Sequence, residues 1–392
     1  MLESRRCVIE TVGWKKLSFA RPLMFSGVAL VDYVPNPFSE LGLKINAGLP
    51  FGLRAIPMVS TIRPARIRLE ASSRCQLRCP SCPTTTGAIK PVVGSGFLKL
   101  RDFRQLIEAN PGLKTIELSN WGEIFLNPEL LEIMEYACAH DVHLTAENGV
   151  NLNHVRDEVL EGLVKYRFRS LTVSLDGTSQ ESYEIYRVRG DYQRVVEHIQ
   201  KINVYKAQYG SEYPRLYWQF VVFGHNEHEI ARARELAAEW NMTLYFKLGW
   251  DNEFSPIRDM EAVRRAMDTG VATRAEYREK FGTEYLDQVC HQLWDLPQVN
   301  WDGKMLGCCR NYWDEFGGNV FQDGLNEVVN SPKLNVAREM LQGKHADDPS
   351  VPCSACEVYK AMAQTGRFLD RSRLLPGWRG HWARFRARLA WN

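Results

Sequence analysis

From residue 65 to 250 the chain switches repeatedly between two hydrophobic periods. Short runs with apolar residues at every second position predict strands at Arg66–Ala71, Thr115–Trp121, His143–Asn148, Ser170–Asp176, Arg215–Phe223 and Thr243–Leu248. Longer stretches with helical spacing predict helices at Leu98–Ala109, Pro128–His140, Arg156–Tyr166, Tyr192–Ala207 and His228–Asn241. Asn127-Pro128 with Glu129 next reads as a helix start, because proline gives up no hydrogen bond in the first turn. Such alternation builds βαβ units on a parallel sheet. Six units are too few for a closed eight-stranded barrel, which leaves an open doubly wound sheet or an incomplete barrel. Both put their chemistry at the C-terminal ends of the strands.

The flanking regions read differently. In residues 1–64, Pro22, Pro35 and Pro37 separate short apolar patches and predict an irregular N-terminal extension packed on the core. Residues 251–289 are charged and mostly helical, a bridge from the 65–250 unit to a cysteine-rich region. That region, residues 290–366, holds five cysteines and a hairpin, Gln298–Trp301 and Lys304–Cys308, turned by Asp302-Gly303. Residues 367–392 form a basic tail in which Trp378, Trp382, Phe385 and Leu389 keep helical spacing among arginines. Docking on the protein, contact with a membrane surface or lipid-linked substrate, and contact with nucleic acid all fit that tail.

Composition narrows the class. With 392 residues, 45% hydrophobic and 24% charged, the chain is long enough for a large domain plus a smaller one. A net charge of +2 supplies no global field toward nucleic acid or membrane. Arg5, Arg6, Lys15, Lys16 and Arg21 interrupt every apolar run near the N-terminus, so no secretory signal is expected. No run reaches the ~18 apolar residues of a spanning helix. Ten cysteines in a chain of this length, clustered in spacing, point to metal ligands in a reducing compartment and hence a cytoplasmic protein. Cys7 and Cys138 stand apart and read as ordinary small buried side chains.

The first strand ends in Cys75-Gln-Leu-Arg-Cys79-Pro-Ser-Cys82. Three soft thiolates on one tight loop suit three corners of a [4Fe-4S] cube, leaving one iron open to another ligand. Structural zinc is the competing reading, although no histidine or fourth cysteine lies nearby to close its tetrahedron. Further on, Cys290, Cys308, Cys353 and Cys356 can close a second cluster completely, and a zinc knuckle is the alternative. Cys309 can replace Cys308 or act as a free thiol facing substrate.

Other chemistry sits where strands end. Trp121-Gly122-Glu123 comes after the second strand, and a glycine there allows close backbone approach to a ligand. Asn148 closes the third strand. Ser174 and Asp176 share one face of the fourth and could hold a ribose, unless Asp176-Gly177 is only a turn. Lys247 to Glu253 runs off the sixth strand as a candidate substrate rim.

The C-x3-C-x2-C loop resembles the signature of the radical S-adenosylmethionine (radical SAM) enzymes. In that family the open iron chelates S-adenosylmethionine, and one electron from the cluster cleaves it to methionine and a 5′-deoxyadenosyl radical. The resemblance implies a partial (β/α)6 barrel over 65–250 and makes Cys75, Cys79 and Cys82 the catalytic cluster ligands. Trp121-Gly122-Glu123 resembles the family's Gly-Gly-Glu-Pro motif, with Trp121 in place of the first glycine and Ile124 in place of the proline. Glu123 then takes the role of binding the methionine amino group. Tyr183 to Gly190 is similar to the segment in relatives where an arginine meets the methionine carboxylate, with Arg187 and Arg189 both candidates. One departure is Ser81, where the family usually places an aromatic residue against adenine. The later cysteines resemble SPASM or twitch auxiliary-cluster domains. Since Glu357–Asn392 contains no cysteine, the resemblance implies one auxiliary [4Fe-4S] cluster.

Relatives of this kind divide between peptide maturases and enzymes acting on sugars or aminocyclitols. Because residues 1–64 look too short for a peptide-recognition domain, the favoured expectation is oxidation or epimerisation of a carbohydrate-like small molecule. A peptide substrate is the alternative, and RNA modification or a non-catalytic metal-binding protein stands behind both. The chemistry also implies a reducing partner such as flavodoxin or ferredoxin.

Overall fold

The computed structural model describes residues 61–249 and 253–370. Six strands lie side by side in chain order, each parallel to the next: β1 (Arg66–Leu69), β2 (Thr115–Glu117), β3 (His143–Val150), β4 (Ser170–Ser174), β5 (Arg215–Val222) and β6 (Thr243–Leu248). The helices joining them, Leu100–Ala109, Leu130–Ala139, Asp157–Lys165, Tyr192–Tyr209 and Ile230–Glu239, fall where the apolar period places them. On one face of the strands Ile67, Leu69, Ile116, Leu171, Val173, Trp218 and Phe220 are buried in the main core. The opposite face is polar, with Arg68, Glu70, Glu117, Thr145, Thr172, Ser174 and Gln219 buried instead. Strand alternation thus separates a dry outer core from a polar inner wall. The sequential order of six parallel strands makes this the partial (β/α)6 barrel.

Two boundaries shift for identifiable reasons. The second strand stops at Glu117 rather than Trp121, because the Glu117 carboxylate accepts from the backbone N–H (3.2 Å) and hydroxyl (2.5 Å) of Ser119 and turns the chain out of the sheet. The helix after β2 begins at Leu130 rather than Pro128. Asn127 is a brace: its amide donates to the carbonyls of Ala71 and Leu98, and its side-chain oxygen accepts from Glu129 N–H.

The expected hairpin forms as β7 (Gln298–Val299) and β8 (Met305–Gly307), with Gly303 at φ +91° in its turn. Strand β7 pairs in parallel with the outer edge of β1, Arg68 beside Gln298, so the sheet runs β6-β5-β4-β3-β2-β1-β7-β8. The 251–289 bridge supplies helices Met260–Ala266 and Arg274–Phe281. Helices Leu325–Val329, Pro332–Leu341 and Glu357–Thr365 complete the C-terminal part. Described residues from Ile62 onward belong to one compact unit. Among the described residues no helix is long and apolar enough to cross a membrane. Cys138, expected to be an ordinary buried side chain, is disulfide-bonded. The expectations for most of the N-terminal extension, Cys7, Trp250 to Asn252 and the arginine-rich tail beyond Asp370 lie outside the described residues.

Candidate active site

The cysteine loop leaves β1 and folds over the ends of the neighbouring strands. Cys82 N–H donates to the Cys79 carbonyl (3.1 Å), and Thr86 N–H to that of Cys82 (3.0 Å), which opens the short helix Pro83–Thr86. Arg78 N–H donates to the Val188 carbonyl (3.0 Å), tying the loop to the segment after β4. All three cysteines are free, and they pack with Leu77, Tyr186, Phe223 and Phe254. Burial pushes the Cys75 thiol up to about 12. It also raises Cys79, against the opposing charge of Arg187. One buried and two half-buried thiols, with no charge compensation beyond one arginine, suit the larger span of an iron-sulfur cluster rather than a single metal ion. Aromatic rings absent at Ser81 come from elsewhere: Tyr186 lies 4.6 Å from Phe223 and 5.5 Å from Phe254, centroid to centroid.

Buried carboxylates lock the loop to its neighbours. Glu70 accepts from Trp121 N–H (3.0 Å) and Gly122 N–H (3.2 Å), and burial outweighs those bonds to raise its carboxyl to about 8. Gly122 has no room for a side chain: a Cβ there would sit 2.1 Å from the Ser72 carbonyl and 2.7 Å from Arg74 N. The close approach that its sequence position implied is therefore made to the cysteine loop itself. Glu123 N–H donates to the Arg74 carbonyl (2.7 Å). The Glu123 carboxylate accepts from Phe125 N–H (3.3 Å) and Asn151 N–H (2.6 Å), and burial raises it to about 7. Asn151 then donates from its amide to Cys75 Sγ at 3.6 Å. Sequence reasoning misses Glu70 and Asn151, since a lone carboxylate in a strand and an asparagine in a loop carry no local signal.

Of the two candidate arginines the geometry separates one from the other. Arg187 is largely buried, donates from Nε to Asp176 (2.6 Å), and points Nη1 at Cys79 Sγ (3.8 Å). Arg189 is exposed at φ +71°. Asp176, completely buried, uses one oxygen for Arg187 and the other for Val221 N–H (2.7 Å). It positions the arginine, and both its oxygens are engaged inside the chain. Ser174 accepts from Gln219 (3.5 Å) beneath Gly149, where a Cβ would approach its hydroxyl to 2.3 Å. Asn148 donates to the Asn120 side chain (2.8 Å), which donates to the Cys309 carbonyl (3.1 Å). Trp121 stacks edge-on against Tyr312, at 5.2 Å.

That last chain of contacts leads to the second cysteine group. Cys290, Cys308, Cys353 and Cys356 line one cavity, walled by Val289, Leu293, Trp313, Phe316 and Leu341. Burial pushes Cys308 up to about 12 and Cys290 and Cys353 well above the usual thiol range, with the neighbouring sulfurs adding to each. Cys309 faces elsewhere: Gln292 donates to its sulfur at 3.5 Å and accepts from its N–H at 2.7 Å. Cys308, not Cys309, joins Cys290, Cys353 and Cys356 in the cavity lining.

The sequence matches the radical SAM superfamily over residues 69–237 and the SPASM iron-sulfur cluster-binding domain over residues 290–357. The chain carries a radical SAM domain and a SPASM domain. Among curated relatives it is 24% identical, over 69% of its length, to the antilisterial bacteriocin subtilosin biosynthesis protein AlbA of Bacillus subtilis. It is 26% identical over 36% of its length to the mycofactocin maturase MftC of Mycobacterium tuberculosis. The matched part spans 61% of AlbA and 34% of MftC, so the chain aligns with only part of each. The solved structure of Streptococcus suis SuiB bound to S-adenosylmethionine shares the fold, with a TM-score of 0.53 over 76% of this chain and 72% of that one, at 12% identity.

The two domains imply a [4Fe-4S] cluster, S-adenosylmethionine and an auxiliary iron-sulfur cluster, and the thiols fit them. A radical SAM cluster needs three ligands and an open corner, which the short loop offers. A closed cluster needs four, which the cavity offers in an apolar shell suited to a desolvated cube. The relatives bear on substrate as well: AlbA is named for bacteriocin biosynthesis and MftC as a maturase, and neither name supports the carbohydrate-like expectation.

Proposed function

We propose that this radical SAM protein is a maturase that modifies a peptide, rather than an enzyme of small carbohydrates. The observation that carries the reading is the AlbA match, which runs over 69% of the chain. In this reading Cys75, Cys79 and Cys82 hold the catalytic cluster, and Cys290, Cys308, Cys353 and Cys356 hold the auxiliary one. When bound, the catalytic cluster supplies the electron that cleaves S-adenosylmethionine and so enables hydrogen abstraction from substrate; a flavodoxin- or ferredoxin-type donor would reduce it.

The chain's own residues then orient and enclose. Arg187, held by Asp176, presents guanidinium N–H groups beside Cys79 and would pair with the methionine carboxylate of the bound cofactor. Glu123 sits across the loop next to Asn151 and Cys75, where its carboxylate can take a bond from the methionine ammonium. Tyr186, Phe223 and Phe254 provide the apolar wall that Ser81 does not, and keep water from the reacting face. Glu70 and Gly122 hold the cysteine loop and the Glu123 loop in one register. Trp121 and Asn148 reach toward the auxiliary site, through Tyr312 and through Asn120 to the Cys309 carbonyl.

The test is anaerobic reconstitution followed by a 5′-deoxyadenosine assay against two substrate pools. A pool of synthetic peptides should raise 5′-deoxyadenosine production and return peptide with altered mass. Stimulation by a panel of sugars and aminocyclitols, with none by peptides, would reverse the assignment.

A further inference from the structure

Three arginines in the C-terminal half bury guanidinium nitrogens without a carboxylate partner, and they are not alike. Arg338 is satisfied by neutral acceptors, donating to the Leu293 and Val329 carbonyls and to Asn335. Arg274 and Arg310 are not satisfied, for the Nε of each is buried with no hydrogen-bond partner. Arg274, at the start of helix Arg274–Phe281, gives Nη2 to the Leu248 carbonyl (3.2 Å) and lies over the Tyr285 ring at 4.9 Å. The nearby Glu284 is engaged with Arg278 at 2.9 Å. Burial, helped by the adjacent positive charge of Arg310, lowers Arg274 to about 10. Among the described residues no salt bridge reaches either arginine.

Their place in the fold gives this meaning. Leu248 ends β6, and its N–H donates to the Tyr285 hydroxyl (3.4 Å), so Arg274 is fixed to that strand end. Arg310 comes directly after Cys309, whose carbonyl is held by Asn120 beyond β2, and lines the four-cysteine cavity. Arg274 thus stands at the end of β6 and Arg310 at the auxiliary site, on the side a substrate facing both cysteine groups would approach. The auxiliary cluster's charge could answer Arg310 alone, but Arg274 does not line that cavity. Two half-buried guanidiniums, each with a buried Nε that no group in the chain satisfies, are costly unless an anion joins them, and a guanidinium fork matches a carboxylate.

We infer that Arg274 and Arg310 form a carboxylate-binding subsite for the substrate, selecting an acidic side chain or a free C-terminus of the peptide. This rests on the peptide reading above. With S-adenosylmethionine assigned to Arg187, the second carboxylate site is left to substrate.

Two probes test it on the reconstituted protein. The first is malonate in a thermal-shift assay, expected to raise the melting temperature of the wild type but not of Arg274→Gln or Arg310→Gln. The second is a fluorescein-labelled neutral peptide carrying one glutamate, its glutamine counterpart, and C-terminally amidated forms of both. Loss of a charge-assisted bond predicts that the preferred carboxylate form binds roughly tenfold more tightly, a gap that closes in the variants. Amidation reports whether side chain or C-terminus is held. If charged and neutral peptides bind alike and malonate still stabilises both variants, the subsite does not exist. A malonate response that depends on both arginines, with no peptide bound, keeps the carboxylate site and removes the peptide reading. Iron lost from Arg310→Gln while malonate still acts on it would assign that arginine to the cluster and overturn the pair. Should either glutamine variant fail to fold, Arg274→Lys keeps the charge but not the fork, and must narrow the gap for the proposal to stand.

Discussion

The two cysteine groups solve different problems. Cys75, Cys79 and Cys82 lie on one short loop, half-buried apart from the buried Cys79, with an arginine and three aromatic rings around them. Cys290, Cys308, Cys353 and Cys356 come from a 3-10 turn, the end of a hairpin strand, and both ends of another turn, and they meet only in the folded chain. The first arrangement is nearly preformed by local sequence and leaves a coordination position for chemistry. The second is assembled by tertiary structure and closes every position. The open site is braced by Glu70, Glu123 and Asp176, while the closed one is walled mostly by apolar side chains, with Arg310 and Asn311 as the polar exceptions and no carboxylate in its lining.

The sharpest break in that comparison is Cys79→Ala. It should reduce 5′-deoxyadenosine formation to background while about four irons remain with the auxiliary site. The reverse experiment is Cys308→Ala, which should remove the auxiliary iron but leave uncoupled cleavage of S-adenosylmethionine measurable; Cys309→Ala should keep both iron sets. Next comes Arg187→Gln, expected to weaken S-adenosylmethionine binding roughly tenfold to a hundredfold by equilibrium dialysis, in line with loss of a charged hydrogen bond. Gly122→Ala should destabilise the protein by about 3 kcal/mol in urea melts, because overpacking against backbone has nowhere to relax. If it is neutral, Gly122 does not hold the two loops in register.

The most gradual effect is a pH dependence. The Glu70 carboxyl keeps its proton in the folded state up to about 8, against an ordinary 4.5, because it is buried. Between those values the folded chain binds more protons than the unfolded one. Stability from this group is therefore full below about 4.5 and falls as pH rises toward about 8, by no more than about 1.4 kcal/mol per pH unit. Glu70→Gln should flatten that part of the curve for protein without metal, measured by urea melts across the range.

The six strands are legible in apolar alternation, and the three-cysteine loop in spacing alone. What the sequence hides is which of two near neighbours turns inward. Arg187 and Arg189 are equivalent in sequence, and only the end of helix Gln180–Tyr186 sends one to Cys79 and the other to solvent. Cys308 and Cys309 are adjacent, and the exit from β8 decides which faces the cavity. Glu70 is hidden for another reason: a strand residue that braces a loop after a different strand leaves no mark near itself. The carbohydrate expectation rests on an argument from length, and the brevity of residues 1–64 says little about what the rest of the chain recognises.

The join between β1 and β7 has a consequence for how the protein is made. Until the ribosome has delivered Gln298 and Val299, the outer edge of β1 has no partner, and its unpaired N–H and C=O groups stay available to any passing strand. A nascent chain carrying the complete six-stranded unit would still be sticky along one side, and would depend on chaperones or rapid synthesis to avoid aggregation. Fragments ending before the hairpin should therefore accumulate as insoluble material, and attempts to produce the catalytic half alone should cover that edge first.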